Sequence, residues 1–582
     1  MQFNSNNNDK FIPQERFNQL ILLSISILVG TVLRFANLTS KPVWIDEFAT
    51  IVFSLGNSFK TVPLNQIISI DVLLQPLQIK ENFAVQEVLQ KILTEDIHPP
   101  VYFVLSHWWI SLWPEQHLIF AARSISAIFG IASIPVIYGL ARLSFRSVLI
   151  AQLAAAFMAV SPYGIFLAQE ARHYTLGVLW VIASLCCLVV AVRRIQQQQP
   201  LPITIALAWL VINVMGISTH YFFIFILCGQ AIVLMKYWLN PESRITNLKL
   251  WWTIYAAVIG TICTGLFWLN LFLYNPYTGE LTQWIKNSDK QSLMPLAYRS
   301  FLDLLNPIFQ SLAGWITMIS LLPVESPHLG IVIASGLVMI IFFVWAIPII
   351  FRNFKIQYSS SENHLMIQTF TGILLSVIAL FFIITYFFGI DITRGARYNF
   401  VYFPVVMVLL GAILAACWHQ NIFTSPAFPQ FKVNGKSAVT IMWIMGLLSG
   451  ITVVSNLGYQ KYYRPDLLLP IIENISETKP VLIANTHRSL AETGEIMGIA
   501  KQIQKTNSPI NAKFLIIPEN QQFDTATATL IEKIKTLPRP FDLWLTNFRT
   551  VQKTPLTLPS CTTDTQALPG INGYEYKIYH CL

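Results

Sequence analysis

The sequence predicts an α-helical polytopic membrane protein that ends in a small α/β domain, and three observations carry that prediction. Apolar residues fill 54% of the 582 positions and charged residues only 12%, against about 25% charged in an ordinary soluble domain. The apolar residues gather in runs of about 20, the length at which a helix crosses the hydrocarbon of a bilayer. From about Leu457 onward charge returns, and short apolar runs alternate with segments of helical periodicity. A chain this long cannot hide its apolar surplus in one core, because single cores stop growing near about 250–300 residues.

The runs define about 11 spans: 17–36, 117–140, 148–167, 175–192, 203–218, 221–238, 251–273, 328–351, 366–388, 398–417 and 438–456. Two more apolar segments, 100–113 and 309–324, are short for a crossing and read as interfacial helices. Trp108, Trp109 and Trp113 favour the headgroup level for the first of them. Lys10 and Arg16 precede the first run without a small-residue cleavage pattern, so that run is expected to remain as a helix.

Charge sets the orientation. With the N-terminus cytoplasmic, Arg142 and Arg146, Arg193 and Arg194, Lys236 to Lys249, Arg352 and Lys355, and Lys432 and Lys436 all fall on the inside, as the positive-inside rule requires. A single crossing by 100–113 would move the clusters from Arg142 to Lys249 to the wrong face. The same scatter accounts for the net charge of +9 without nucleic acid, since no basic stripe with interleaved aromatics occurs.

The opposite face then collects the polar motifs: a first long loop 38–116 with "WIDEF" and "DIHPPVYF", then "AQEARHY" (168–174), "THYFF" (219–223), a second long loop 274–327, and "DITRGARYNF" (391–400). Residues 457–582 fall on that face too. Within them 480–485, 512–519 and 541–548 read as strands separated by helical segments, the pattern of a small parallel α/β domain. Cys561 and Cys581 lie there, in a setting where an oxidising compartment favours a disulfide. The other five cysteines sit in apolar runs and read as small core residues.

Carboxylates at a membrane boundary are costly and commonly functional. Asp46 is either the N-cap of a helix starting near Glu47 or a general base for an acceptor hydroxyl. Glu47, about a quarter-turn or more away on such a helix, would orient the surroundings of Asp46 or help hold a divalent cation. His98 precedes two prolines that fix an extended entry to the following helix. Arg172 on the outer face runs against the charge rule, so a pairing with Glu170 or with an anionic ligand is expected. Tyr174 sits with Gln169, Glu170, Arg172 and His173 at the mouth between two spans and is a substrate-binding candidate, as is His220, although His220 and Tyr221 also mark an outer helix end where an interfacial belt is the plain explanation. Arg394 and Arg397 again stand on the outer side, and guanidinium forks suit phosphate, while Asp391 offers either of them a local partner. The pattern fits a phosphate-activated donor carried on a lipid, with the arginines at its phosphate and Asp46 at the acceptor.

In this order and on one face, "WIDEF", "HPPVYF", "QEARHY" and "RYNFVYFP" resemble the integral-membrane glycosyltransferases of the GT-C fold, over about Arg34 to Pro404. The chain is most similar in these motifs to bacterial relatives of the dolichyl-phosphate-mannose protein mannosyltransferases and of the lipid A aminoarabinose transferases. The resemblance implies transfer of a sugar from a polyprenyl-phosphate donor to a lipid, glycan or protein acceptor at the outer face of the cytoplasmic membrane. It implies Asp46, with Glu47 beside it, as the catalytic carboxylate. His98, Glu170, Arg172 and the Arg397–Tyr398 pair match family motif positions, and Asp391 and Arg394 have no assigned counterpart. The use of a divalent cation, Mg or Mn, varies in that family, with Asp46 and Glu47 as the candidate ligands here. A transporter or flippase of lipid-linked sugars is the rival reading. It would place charge mid-membrane on broken helices, whereas these charges gather at one face.

Overall fold

A computed structural model describes residues 14–80, 84–239, 248–275, 301–420, 423–425, 428–476, 479–519, 524–548, 556–563 and 568–582. Residues 276–300 of the second long loop lie outside the described residues. Every run read as a span is helical. These helices are α1 (Gln14–Phe35), α6 (Leu118–Phe145), α7 (Val148–Val160), α8 (Pro162–Ala168), α9 (Tyr174–Gln196), α10 (Ile203–Ile217) and α11 (Phe223–Leu239). They continue as α12 (Leu248–Tyr274), α14 (Leu329–Ser359), α15 (His364–Phe387), α16 (Phe403–Trp418) and α17 (Gly435–Val454). Among the described residues seven helices are long and apolar enough to cross a bilayer, and the α7–α8 pair, bent by 57°, makes an eighth. The remaining three, α10, α11 and α16, are apolar helices of 15, 17 and 16 residues. Leu207, Leu266, Ile340 and Leu375 stand out from the helices with more than half their surface bare, as hydrocarbon rather than water would solvate them.

The α7–α8 bend has a local cause. Pro162 offers no N–H to the carbonyl of Met158, four residues back, so the helix ladder opens there. Arg34, fully buried on α1, fills the gap by donating to the carbonyl oxygens of Met158 and Ala159, both at 2.9 Å, and of Gly30 at 3.1 Å. Room for the guanidinium comes from Gly130, where a Cβ would lie 3.0 Å from Arg34 Nε and 2.8 Å from the Ala168 methyl. The bend delivers the 169–173 loop to the end of the bundle that carries the first loop, where Ala171 meets Glu47.

The first loop is folded. It carries α2 (Ile45–Ser54), α3 (Ile70–Leu74), α4 (Val85–Glu95) and α5 (Val101–Ile110), and the last packs on α2, α4 and α6. The other short apolar segment forms most of α13 (Phe301–Ile319). Asp46 is not the cap of α2. The cap position is Trp44, without a side-chain bond, and both Asp46 and Glu47 lie in the first turn, where negative charge meets the positive end of the helix. The helix stops at Gly56, whose φ of +65° and approach to Glu87 suit only glycine.

Between α16 and α17 lies an antiparallel pair, β2 (Phe423–Ser425) and β3 (Phe428–Val433), and the C-terminal region holds the expected parallel strands β4 (Val481–His487), β5 (Ala512–Pro518) and β6 (Phe541–Thr546). Helices α19 (Leu490–Thr506) and α20 (Asp524–Ile534) connect them, and α18 (Pro465–Ile475) leads in. The sheet is wider than the sequence implied. β8 (Tyr576–Cys581) and β7 (Cys561–Thr563) add antiparallel strands on one side. On the other, β1 (Ile67–Ile68) of the first loop pairs antiparallel with β5, Ile67 opposite Leu515. One apolar core therefore joins Phe48, Ile51 and Phe103 of the first loop to Ile483, Ile496 and Trp544 of the sheet domain. The 457 boundary separates composition, not packing. Cys561 and Cys581 are joined by a disulfide between β7 and β8.

Candidate active site

The polar motifs of the outer face converge on a cavity of about 170 Å³. Asp46, His98, Arg172, Tyr174, His220, Arg397 and Tyr398 all line it. Leu490 and Ala491, the first turn of α19, reach the same cavity from the sheet domain. Phe53, Phe222 and Phe272 form apolar wall.

Asp46 is its only carboxylate held against two arginines among the described residues. Its Oδ2 lies 3.4 Å from Arg397 Nη2 and 3.9 Å from Arg172 Nη2, and about a quarter of its side chain (27%) is open. Burial alone would raise this carboxyl, but Arg397 and then Arg172 outweigh it and hold it below the usual carboxylate range. Arg172 is fixed from three sides. Nη1 donates to the backbone oxygen of Asp46 at 3.1 Å and to Thr50 Oγ1 at 2.9 Å. Nη2 lies 3.2 Å from His98 Nε2, whose other nitrogen, Nδ1, sits 3.0 Å from Asp96 Oδ1. An N–H of Arg172 can donate only to a bare Nε2, so His98 donates from Nδ1 to Asp96. Arg172 Nε has no hydrogen-bond partner among the described residues. Burial would lower both arginines, yet Asp46 keeps each above its ordinary value and firmly cationic. Arg397 also stands over the Trp44 ring, 4.8 Å from its centroid.

Glu47, the neighbouring carboxylate, is not among the residues that line the cavity. It is fully buried, and both its oxygens are taken by Arg123, Oε1 from Nε at 2.7 Å and Oε2 from Nη2 at 2.8 Å. The Ala171 N–H adds a third bond at 2.9 Å. Against the penalty of burial, Arg123 and Lys461 hold this carboxyl down to about 2. Nor does Glu170 pair with Arg172: it is buried, and Lys461 donates to its Oε1. Arg394 turns away, pairing with Asp391 at 3.4 Å. His220 is no interfacial residue but lies in a ring cluster with His173, 4.5 Å between centroids, and Phe400. Burial holds both histidines well below the ordinary imidazole value.

An Mg or Mn ion held jointly by Asp46 and Glu47 does not fit these residues, because Glu47 has no oxygen to spare and Asp46 faces two guanidinium groups. No group of three or more His, Cys, Asp or Glu side chains arranged to hold a metal ion occurs among the described residues.

The sequence reading missed Arg123, Lys461, Asp96 and Trp44. Arg123 carried a signal, a lone charge inside an apolar run. Lys461 carried none, being one polar residue among many after Leu457.

No family model and no curated protein matches the chain. Among solved structures it is similar to ArnT from Cupriavidus metallidurans bound to undecaprenyl phosphate, at 11% identity over 97% of this chain and 98% of that one, TM-score 0.48. It is similar to an oligosaccharyltransferase from Archaeoglobus fulgidus in complex with Zn and sulfate, at 14% identity over 90% and 68%, TM-score 0.44. It is also similar to the S. cerevisiae protein O-mannosyltransferase Pmt1-Pmt2 complex bound to its sugar donor, at 12% identity over 48% and 37%, TM-score 0.32.

Proposed function

We propose that the chain is a GT-C type glycosyltransferase of the cell membrane that moves a hexosyl or pentosyl group from a polyprenyl-phosphate donor to a hydroxyl acceptor. The observation that carries this reading is the ionised Asp46 set against Arg397 and Arg172 at the outer mouth of a helical bundle. The cavity is smaller than the about 300–1,000 Å³ of a drug-sized site, which suits one sugar head group with its lipid tail left among the helices. Asp46 accepts the proton of the acceptor hydroxyl as that oxygen bonds to the anomeric carbon. The bond from the anomeric carbon to the phosphate oxygen breaks, and the electron pair leaves with the lipid phosphate. Attack opposite the leaving group inverts the anomeric centre. Arg397 and Arg172 meet the charge on the departing phosphate, the electrostatic stabilisation such a transfer needs. Both contacts with Asp46 exceed hydrogen-bond length, so the carboxylate is not locked to either guanidinium and can take a hydroxyl proton. The sheet domain is assigned to the extracytoplasmic side, a placement supported by its disulfide. The acceptor is a lipid, a glycan or a protein.

Membranes containing the chain and supplied with radiolabelled polyprenyl-phosphate sugars test this reading. Label is expected to leave the carrier for an acceptor. Label that stays on the carrier while changing leaflet identifies a transporter and overturns the assignment.

A further inference from the structure

The segment joining the bundle to the sheet domain, 455–464, does more than connect. Lys41 Nζ holds it by donating to the carbonyl oxygens of Gly458 at 3.0 Å and Tyr459 at 3.1 Å. The Tyr459 ring lies flat on Phe166, 4.1 Å between centroids. Thus anchored, the segment sends Lys461 inward until it is 5% exposed. There its ammonium donates to Glu170, lies 3.7 Å from Glu47 Oε2, and sits 5.3 Å from the centroid of Trp44.

Two consequences follow from the charges. Arg123 and Lys461 are matched by Glu47 and Glu170, so these four buried groups are neutral together, a condition under which such groups are tolerated, while burial and the neighbouring Lys461 lower the adjoining Lys41 to about 7. Lys461 and Arg397 both approach the Trp44 ring, at 5.3 and 4.8 Å from its centroid. Arg397 is the cation nearest Asp46, and Glu47 is the next residue to Asp46 on α2. Lys461 therefore touches both supports of the candidate base, the helix turn that carries it and the ring on which its partner rests.

We propose that Lys461 is a positioning residue for Asp46, through which the sheet domain's connecting segment sets the angle between Asp46 and Arg397. It never reaches the cavity itself. The groups facing Asp46 are Arg397, Arg172, His98 and Asp96, and those around Lys461 are Glu170, Glu47, Arg123 and Lys41. Its catalytic consequence rests on the reading of Asp46 as a base, but its geometric content does not.

The test uses the full chain in detergent, labelled with 13C at aspartate carboxyls, with the Asp46 signal assigned by difference against Asp46→Asn. Lys461→Met leaves Glu47 and Glu170 sharing one arginine and risks misfolding, so the decisive variant is Lys461→Met combined with Glu170→Gln, which keeps the buried set neutral. In that variant Asp46 is expected to titrate about one unit or more higher than in the native chain, because Arg397 no longer leans on it. Lys461→Arg, which keeps the cation over Trp44, restores the native titration. Transfer in the double variant is expected to lose about 30-fold in kcat with donor KM within about threefold, the pattern of a group felt mainly in the transition state. A well-folded double variant in which Asp46 titrates as in the native chain overturns the proposal. If the native chain transfers no sugar, the proposed function fails while the Asp46 titration still decides the positioning role.

Discussion

Removing Arg123 from beside Glu47 perturbs the most completely buried ion pair around the site. Arg123 bonds both oxygens of Glu47 and donates to the carbonyl oxygens of Leu38, Lys41 and Pro42. The Glu47 carboxyl falls from 4.5 to about 2 in these surroundings, which at about 1.36 kcal/mol per unit is on the order of 3 kcal/mol. Breaking a buried pair by deleting one partner costs about 3–5 kcal/mol, in agreement, and the three carbonyls add about 1 kcal/mol each. Arg123→Met is thus expected to cost about 5 kcal/mol or more, and Glu47→Gln about 3 kcal/mol. Together they should cost less than their sum by about 3 kcal/mol, the coupling of the pair. Reversible unfolding in mixed micelles, run as a double-mutant cycle at pH 7, measures it. Because the folded carboxyl is held below its unfolded value, this stability is present above about pH 4.5 and is lost as pH falls toward 2. A coupling under about 0.5 kcal/mol, the level of an exposed pair, would refute the burial argument.

Three other outcomes follow from the same geometry. Glu495 is 9% exposed, bonded by Tyr463 and Asn547, and burial pushes its carboxyl up to about 7. Its folded value lies above the unfolded one, so stability falls as pH rises from about 4.5 to 7; Glu495→Gln should abolish that slope in urea titrations and stabilise the protein at pH 8 by about 1–3 kcal/mol. Arg34→Met deprives three helix carbonyls of their donor, and an unfolding cost of about 2–4 kcal/mol is expected, with weakened transfer because the α7–α8 bend carries the Arg172 loop. Replacing Cys561 and Cys581 by serine opens a bridge spanning 20 residues, for which chain entropy gives about 3 kcal/mol, measurable as a lower unfolding midpoint.

Much of the scaffold was legible because its signals are local. The β4 segment begins with the apolar run "VLIA", as expected of a strand buried on both faces, and it lies at the centre of the sheet. The apolar runs became helices because in hydrocarbon the backbone must satisfy itself. β1 was not legible: two residues carry no periodicity, and their partner Leu515 is far along the chain. The gathering of Asp46, His98, Arg172, His220 and Arg397 on one face followed from charge and parity, and the cavity contains all five. Pairing choices did not follow. Glu170 and Arg172 are close in sequence, yet the bond of Glu170 goes to Lys461, 291 positions away. Glu47 likewise pairs with Arg123, 76 positions away, and proximity in sequence gave no access to either choice.

The central claim is that Asp46 takes the acceptor's proton in a glycosyl transfer. The most direct measurement compares native chain with Asp46→Asn, at equal expression and equal unfolding midpoint, for movement of labelled sugar from polyprenyl phosphate to acceptor. Asparagine keeps the shape but removes the base, and a loss of at least about 100-fold in kcat is the expected result. Equal transfer by the two chains would contradict the account.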